Sequence, residues 1–301
     1  MTSATIRIRT DSTSPTTAPP SRPRRRWRRL YRYKAALLAS ALLLLLIAVS
    51  LAAPWLAPYD PYKVNMDSLS APPSLAHWLG TDAAGRDVLS RMLYGGRVSL
   101  PVGLLASIIS VVIGTILGLA SGFWGKSVDF WLMRFVDVIM TIPSLIIIIT
   151  LVSIIGSSIY NIILVLGLLG WTGICRLVRG QTLSVRESDF VLAAHSVGVP
   201  SWRIIFRHIL PNVMAPAIVA GTFALAANIL AEAGLSFLGV GVQPPIPTWG
   251  NMLNEAQKLY ILESQPWLWV PPGAVITVIV LAINYIGDAL RDILDPRLVN
   301  S

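Results

Sequence analysis

Residues 138–175 read VIMTIPSLIIIITLVSIIGSSIYNIILVLGLLGWTGIC, a stretch of 38 positions without one Asp, Glu, Lys or Arg. Crossing the hydrocarbon core of a bilayer takes about 20 mostly apolar helical residues, so the stretch is long enough for nearly two crossings. The Gly156-Ser157-Ser158 turn near its centre divides it. One span is expected over 130–155 and the next over 159–178. Two more charge-free runs lie upstream, 25 residues between Lys34 and Asp60 and 28 between Arg97 and Lys126. They predict a first span over 35–58 and a second over 99–123. Apolar runs over 209–235 and 268–290 complete the set. The expected fold class is an all-α membrane protein with about six transmembrane helices.

Composition agrees. Of 301 residues, 54% are hydrophobic and only 13% charged, where soluble domains carry about 25% charged residues. Mean hydropathy is +0.66. An ordinary soluble enzyme is excluded, and so is a nucleic-acid binder, despite the net charge of +9. With the N-terminus inside, 19 of the 24 Lys and Arg fall on the cytoplasmic side and 5 outside, as the positive-inside rule requires. Residues 1–34 are expected to form a disordered basic cytoplasmic tail. Ser, Thr and Pro dominate its first part, and eight basic residues lie between Arg22 and Lys34. The run 35–58 exceeds a signal-peptide core of about 7–15 residues, so an uncleaved first span is expected. An extracytoplasmic loop at 59–98 follows, with a short interfacial helix around 86–94. Next come a core transmembrane domain at 99–290 and a cytoplasmic C-terminus at 291–301. The expected location is the cell (inner) membrane, multi-pass, with both termini cytoplasmic.

Three features that could carry chemistry read as structural. Ala120 to Ser127 fits a relaxed phosphate-loop pattern, but a membrane-length apolar run precedes it and bulky Phe123 and Trp124 occupy the loop. Asp137 and Asp288 lie in expected spans. A protease dyad needs two Asp close enough to share a proton, and both sit near span ends, where headgroups, Arg134 or Arg291 would anchor them. Cys175, the single cysteine, excludes an intrachain disulfide and reads as a small buried hydrophobe. Glu232 is different. It lies 21 residues past Pro211, near the outer end of the fifth span, where an ionisable group marks a functional site. It either lines a translocation path, with Ser236 one turn on, or ties to an Arg or a backbone donor.

The loop between the fourth and fifth spans is the most informative. Asp189 to Val197 predicts a short helix ended by Gly198, and Pro200 opens another. Trp202, Ile205, Phe206 and Ile209 fall on one expected face, with Arg203 and Arg207 opposite. Small Ala193 and Ala194 would let another surface approach closely, and Pro211 starts the fifth span. Such a pair, joined rigidly to a span, is suited to receiving force from a partner; otherwise it lies idle on the lipid surface.

Ala193-Ala194-x3-Gly198-x12-Pro211 resembles the "EAA" loop of bacterial and archaeal ABC-importer permeases, with Leu192 in place of the usual Glu and His208 in place of an Ile. Further segments resemble the C-type permease of dipeptide/oligopeptide importers. They are 79–87, Arg91 with 96–100, Met133-Arg134-x2-Asp137, 232–239, 244–250 and 287–297. The resemblance runs from about residue 35 to 299. It implies a type I ABC-importer permease fold, non-enzymatic, with the loop 189–208 as a cytoplasmic coupling helix. Asp189, Ala193, Ala194, Gly198, Arg203 and Pro211 would couple it to an ATPase. It also implies a second homologous permease subunit, two ATP-binding subunits that hold ATP and Mg, and an extracytoplasmic solute-binding protein delivering peptide. This chain itself would hold no cofactor or metal. Related permeases carry nickel, glutathione or antimicrobial peptides, and an ion-coupled carrier or intramembrane protease are the rivals from other classes.

Overall fold

The computed structural model of the chain describes residues 24–294; the tail before residue 24 and the last seven positions, with Asp295-Pro296-Arg297, lie outside the described residues. The described residues contain twelve α-helices: α1 Arg24–Leu51, α2 Ala53–Leu56, α3 Val88–Trp124, α4 Lys126–Thr141, α5 Ser144–Ile155, α6 Ile159–Arg186, α7 Asp189–Ser196, α8 Ser201–Ile204, α9 Leu210–Phe237, α10 Trp249–Asn254, α11 Leu259–Ser264 and α12 Val270–Leu294. A π-helical turn, Ile205–Ile209, fuses α8 to α9. Five helices are long and apolar enough to cross a membrane, and the bent pair of α4 with α5 brings the candidate spans to six. The end of the bundle with the start of α1, the α6–α9 connection and the end of α12 is called the base. The opposite end, built from 57–87 and 238–269, is the crown.

Two expectations change here. The third span is not one helix: α4 and α5 meet at 85°. Pro143 causes the break. It has no N–H to continue the ladder, and its ring would strike the carbonyl four residues back. Ile142 before it is extended at φ −91°, ψ 132°, the conformation a following proline imposes. The interfacial helix expected around 86–94 is also absent as a separate element. From Val88 on, those residues are the first turns of α3, which runs 37 residues, or about 55 Å. Asp87 starts it, its carboxylate accepting from the Ser90 amide and hydroxyl, each at 2.8 Å.

α3, α6 and α9 form the centre. α1 lies at the periphery against α3 and α12, with Leu37, Leu38, Leu44 and Leu45 outward. Between helices in lipid there is little hydrophobic drive, so close backbone packing must hold them. α3 supplies it through Gly114, Gly118 and Gly122, one turn apart. A Cβ on Gly118 would lie 2.7 Å from the Cys175 carbonyl, and one on Gly122 2.6 Å from Thr182. Cys175 is fully buried beside Val136 and Trp171.

Candidate functional site

The base loop begins where α6 ends. Ser188 and Glu187 form the only link to α7, whose first turn carries Asp189, exposed and favourably placed against the helix dipole. Val191 is the one buried residue of α7; Ala193 is exposed and Ala194 half-buried. Gly198 closes the helix at φ +80°, its amide on the His195 carbonyl at 3.0 Å while Val199 reaches Ala194 at 3.1 Å. A side chain at that φ is strained, although a Cβ there meets nothing within 4 Å.

Next comes the π turn. The Leu210 amide reaches back five residues to the Ile205 carbonyl, which widens the helix immediately ahead of Pro211. A proline without an N–H is accommodated there because the four-residue ladder is already interrupted. The Asn212 amide group donates to the His208 carbonyl at 2.6 Å, satisfying an acceptor the wide turn leaves over. The result is a continuous helical rod, Ser201–Phe237.

The extra residue per turn also redistributes the apolar face. Ile204 and Ile209 are fully buried and join Val191, Val213, Leu119, Ile174 and Val178 in one cluster. Trp202 and Phe206, expected beside Ile209 on one stripe, point outward instead, 59% and 63% exposed. Arg203 is not on the face opposite Trp202; its guanidinium lies 5.3 Å over the Trp202 ring. The loop is thus rooted in the bundle and presents Phe190, Leu192, Val197, Trp202 and Phe206 outward.

At the crown, Glu232 is fully buried. Its carboxylate accepts from the Ser99 hydroxyl at 2.9 Å and from the Ser236 hydroxyl at 2.8 Å. Ser99 in turn receives the Trp249 amide at 3.4 Å, and Ser236 the Val242 amide at 3.2 Å. The partners of Glu232 are therefore hydroxyls, neither the Arg nor the backbone donor expected for a tie. Trp249 is buried against Gly95 and Gly96, its indole donating to the Met92 carbonyl at 3.0 Å. Three sequence segments, 96–100, 232–239 and 244–250, therefore converge in one clasp.

Sequence reasoning missed a second crown cluster. Asp82 accepts from the Ala84 and Arg86 amides at 2.9 Å, from Arg86 Nε at 2.7 Å, and pairs with Arg91 Nε at 3.4 Å. Arg91, 3% exposed, also donates to the Pro61 carbonyl at 3.2 Å. Glu255 approaches Arg86 at 3.8 Å and accepts from the Ala83 amide at 3.4 Å. Burial, reinforced by the nearby Asp82 charge, holds the Glu255 carboxyl above its ordinary range. The signal was present as Asp82-x3-Arg86 with Arg91, but its partner is far along the chain.

Asp137 pairs with Arg176 of α6, an ion pair about half exposed, instead of with Arg134. The phosphate-loop lookalike is one residue, Gly125, between two helices, so no strand-to-helix cradle exists there.

A family model described as "binding-protein-dependent transport system inner membrane component" matches residues 110–300. A second, "N-terminal TM domain of oligopeptide transport permease C", matches residues 21–73. An oligopeptide transport system permease protein of Haemophilus influenzae is 41% identical over 81% of this chain and 79% of its own length. A glutathione transport system permease protein of Pectobacterium atrosepticum is 40% identical over 83% of each. Among solved structures, an inward-facing MetNI methionine ABC transporter chain superposes with a TM-score of 0.55 at 18% identity, covering 69% of this chain and 96% of that one.

Proposed function

We propose, from the premise that this chain belongs to the family of binding-protein-dependent transport system inner membrane components, that it moves di- and oligopeptides into the cytoplasm. It is a non-catalytic permease subunit of an ABC importer, with the type I helical fold of such subunits. In this reading the base faces the cytoplasm with both termini, and the crown faces outward. One observation carries the mechanism. The base loop is rooted by Val191, Ile204 and Ile209, yet turns apolar residues toward solvent, and its second half is the start of the 37-residue helix Ser201–Phe237. An exposed apolar patch of that kind calls for a protein partner, and a rod behind it converts the partner's movement into helix movement.

That partner is one of two ATP-binding subunits, which hold the ATP and Mg. A second homologous permease completes the channel, and an extracytoplasmic solute-binding protein delivers the peptide to the crown. Asp189, Ala193, Ala194, Gly198, Arg203 and Pro211 serve the coupling. The test is ATP-dependent uptake of radiolabelled dialanine by proteoliposomes holding all the subunits. Gly198→Trp should insert in the membrane yet abolish uptake, since the indole would stand in the docking plane. Normal uptake by that variant would end the coupling role.

A second substrate reading rests on the similarity to the glutathione permease. Glutathione is itself a modified tripeptide, and competition of glutathione against dialanine in the same vesicles separates the two.

A further inference from the structure

The last eleven residues of α6 carry three arginines, and the proposed function uses none of them. Arg176, Arg179 and Arg186 are spaced by three and seven, so they form one stripe. Arg179 grips Asp129 of α4 with both ends of its guanidinium, Nε on Oδ1 and Nη2 on Oδ2 at 2.6 Å. The buried Ser121 hydroxyl of α3 donates to the same Asp129 oxygen. Three helices therefore meet at one carboxylate. Arg186 caps α3, its Nη1 donating to the carbonyls of Phe123 at 2.9 Å and Gly122 at 3.2 Å, acceptors that a helix end leaves unpaired. Arg176 holds Asp137, two turns further along α4.

The two neighbours are held differently. α3 is interlocked with α6 through Gly114, Gly118 and Gly122, whose hydrogens leave no room for slip. α4 buries only Val136 among its residues and turns Phe130, Trp131, Phe135 and Val138 outward. α4 meets α6 through Leu132, Met133, Val136 and Ile139, through the Phe135 ring stacked on Trp171 with centroids 6.4 Å apart, and through these two ion pairs, which are its polar fastenings. On the other side, α6 reaches α7 across two residues, with the Ser188 amide on the Val185 carbonyl at 3.1 Å and the Val191 amide on the Ser188 carbonyl at 3.0 Å. That joint has no slack.

We propose that Arg179 and Asp129 are positioning residues that strap α4 to α6, so that displacement of the base loop is handed to the bent α4–α5 limb. α3 follows α6 by shape; α4 rests on it through a looser apolar contact that the ion pairs hold in register. A bidentate pair suits this task because it resists rotation as well as separation. The inference rests on the coupling role assigned to the base loop.

The test uses the assembled complex, reconstituted with its ATPases, in a Cys175→Ala background. One readout is dialanine uptake per ATP hydrolysed. The other needs no substrate: the nitroxide distance from Trp131→Cys on α4 to Leu281→Cys on α12, and from Ser196→Cys in the base loop to the same α12 position, with and without ATP. Arg179→Gln and Asp129→Asn should lower uptake per ATP about tenfold. The base-loop distance should still change with ATP, and the α4 distance should not. The reversed pair, Asp129→Arg with Arg179→Asp, should restore both readouts in good part. An α4 distance that responds to ATP equally in Arg179→Gln, or in neither protein, overturns the strap; so does a reversed pair no better than the single variants. If neither distance responds and ATP drives no uptake in the parent complex, the functional reading itself has failed, which the base-loop distance reports separately.

Discussion

Glu232 brings a carboxylate into the interior and meets hydroxyls there. A buried carboxylate is tolerable only when its oxygens are hydrogen-bonded, and Ser99 and Ser236 supply one donor to each. Removing the side chain strands both hydroxyls and leaves a cavity. Glu232→Ala is expected to cost about 2–4 kcal/mol, read as a fall in thermal unfolding temperature in detergent. Glu232→Gln keeps the volume and one acceptor, and the serine hydroxyls can turn to receive its amide, so it should lie much closer to the parent. Equal losses would show that charge, not hydrogen bonding, holds the clasp. The sequence marked Glu232 as exceptional because an acid stood in an apolar run. It did not reveal the partners, since Ser99 and Trp249 are ordinary residues whose importance comes from meeting, and they lie 133 and 17 positions away from it.

At the scale of elements, which apolar runs form helices was readable, and bends inside uncharged stretches were not. The fifth span, expected over 209–235, is α9 at Leu210–Phe237. Hydropathy passes smoothly through Ile142-Pro143, so the 85° break was hidden from it even though the proline stood in plain view. The separate helix expected at 86–94 is instead the start of α3. α3 carries Arg91 inward, because Asp82 waits for it. The π turn left no signature beyond Pro211 itself. The α3–α6 contact yields a paired prediction. A methyl on Gly118 would press on the Cys175 carbonyl at 2.7 Å, whereas one on Gly173 of α6 meets nothing within 4 Å. Gly118→Ala should destabilise by about 1–3 kcal/mol through overpacking. Gly173→Ala should be neutral or stabilise by about 0.5–1 kcal/mol, the ordinary helix preference for Ala. Thermal unfolding of the two purified variants checks both signs.

Across the whole molecule, the crown holds a close group of charges, Asp82, Arg86, Arg91 and Glu255, so pH should act there. Glu255 is raised by burial and then by Asp82, with Arg86 and Arg91 opposing. A carboxyl raised in the folded state binds its proton more readily there than in the unfolded chain, so its contribution is present at acid pH and lost as pH rises through the folded value. Glu255→Gln should therefore raise the unfolding temperature at neutral pH relative to the parent, and the gain should shrink on acidification. A gain that is constant across pH would assign the effect to something other than this titration.

The length of α3 has one more consequence. At about 55 Å it exceeds the hydrocarbon core by about 25 Å, and its first turns are fastened to the crown by Asp87, Arg91 and Trp249. The helix acts as a mast. A helix of that length holds the crown outside the hydrocarbon core at a height set by the helix itself.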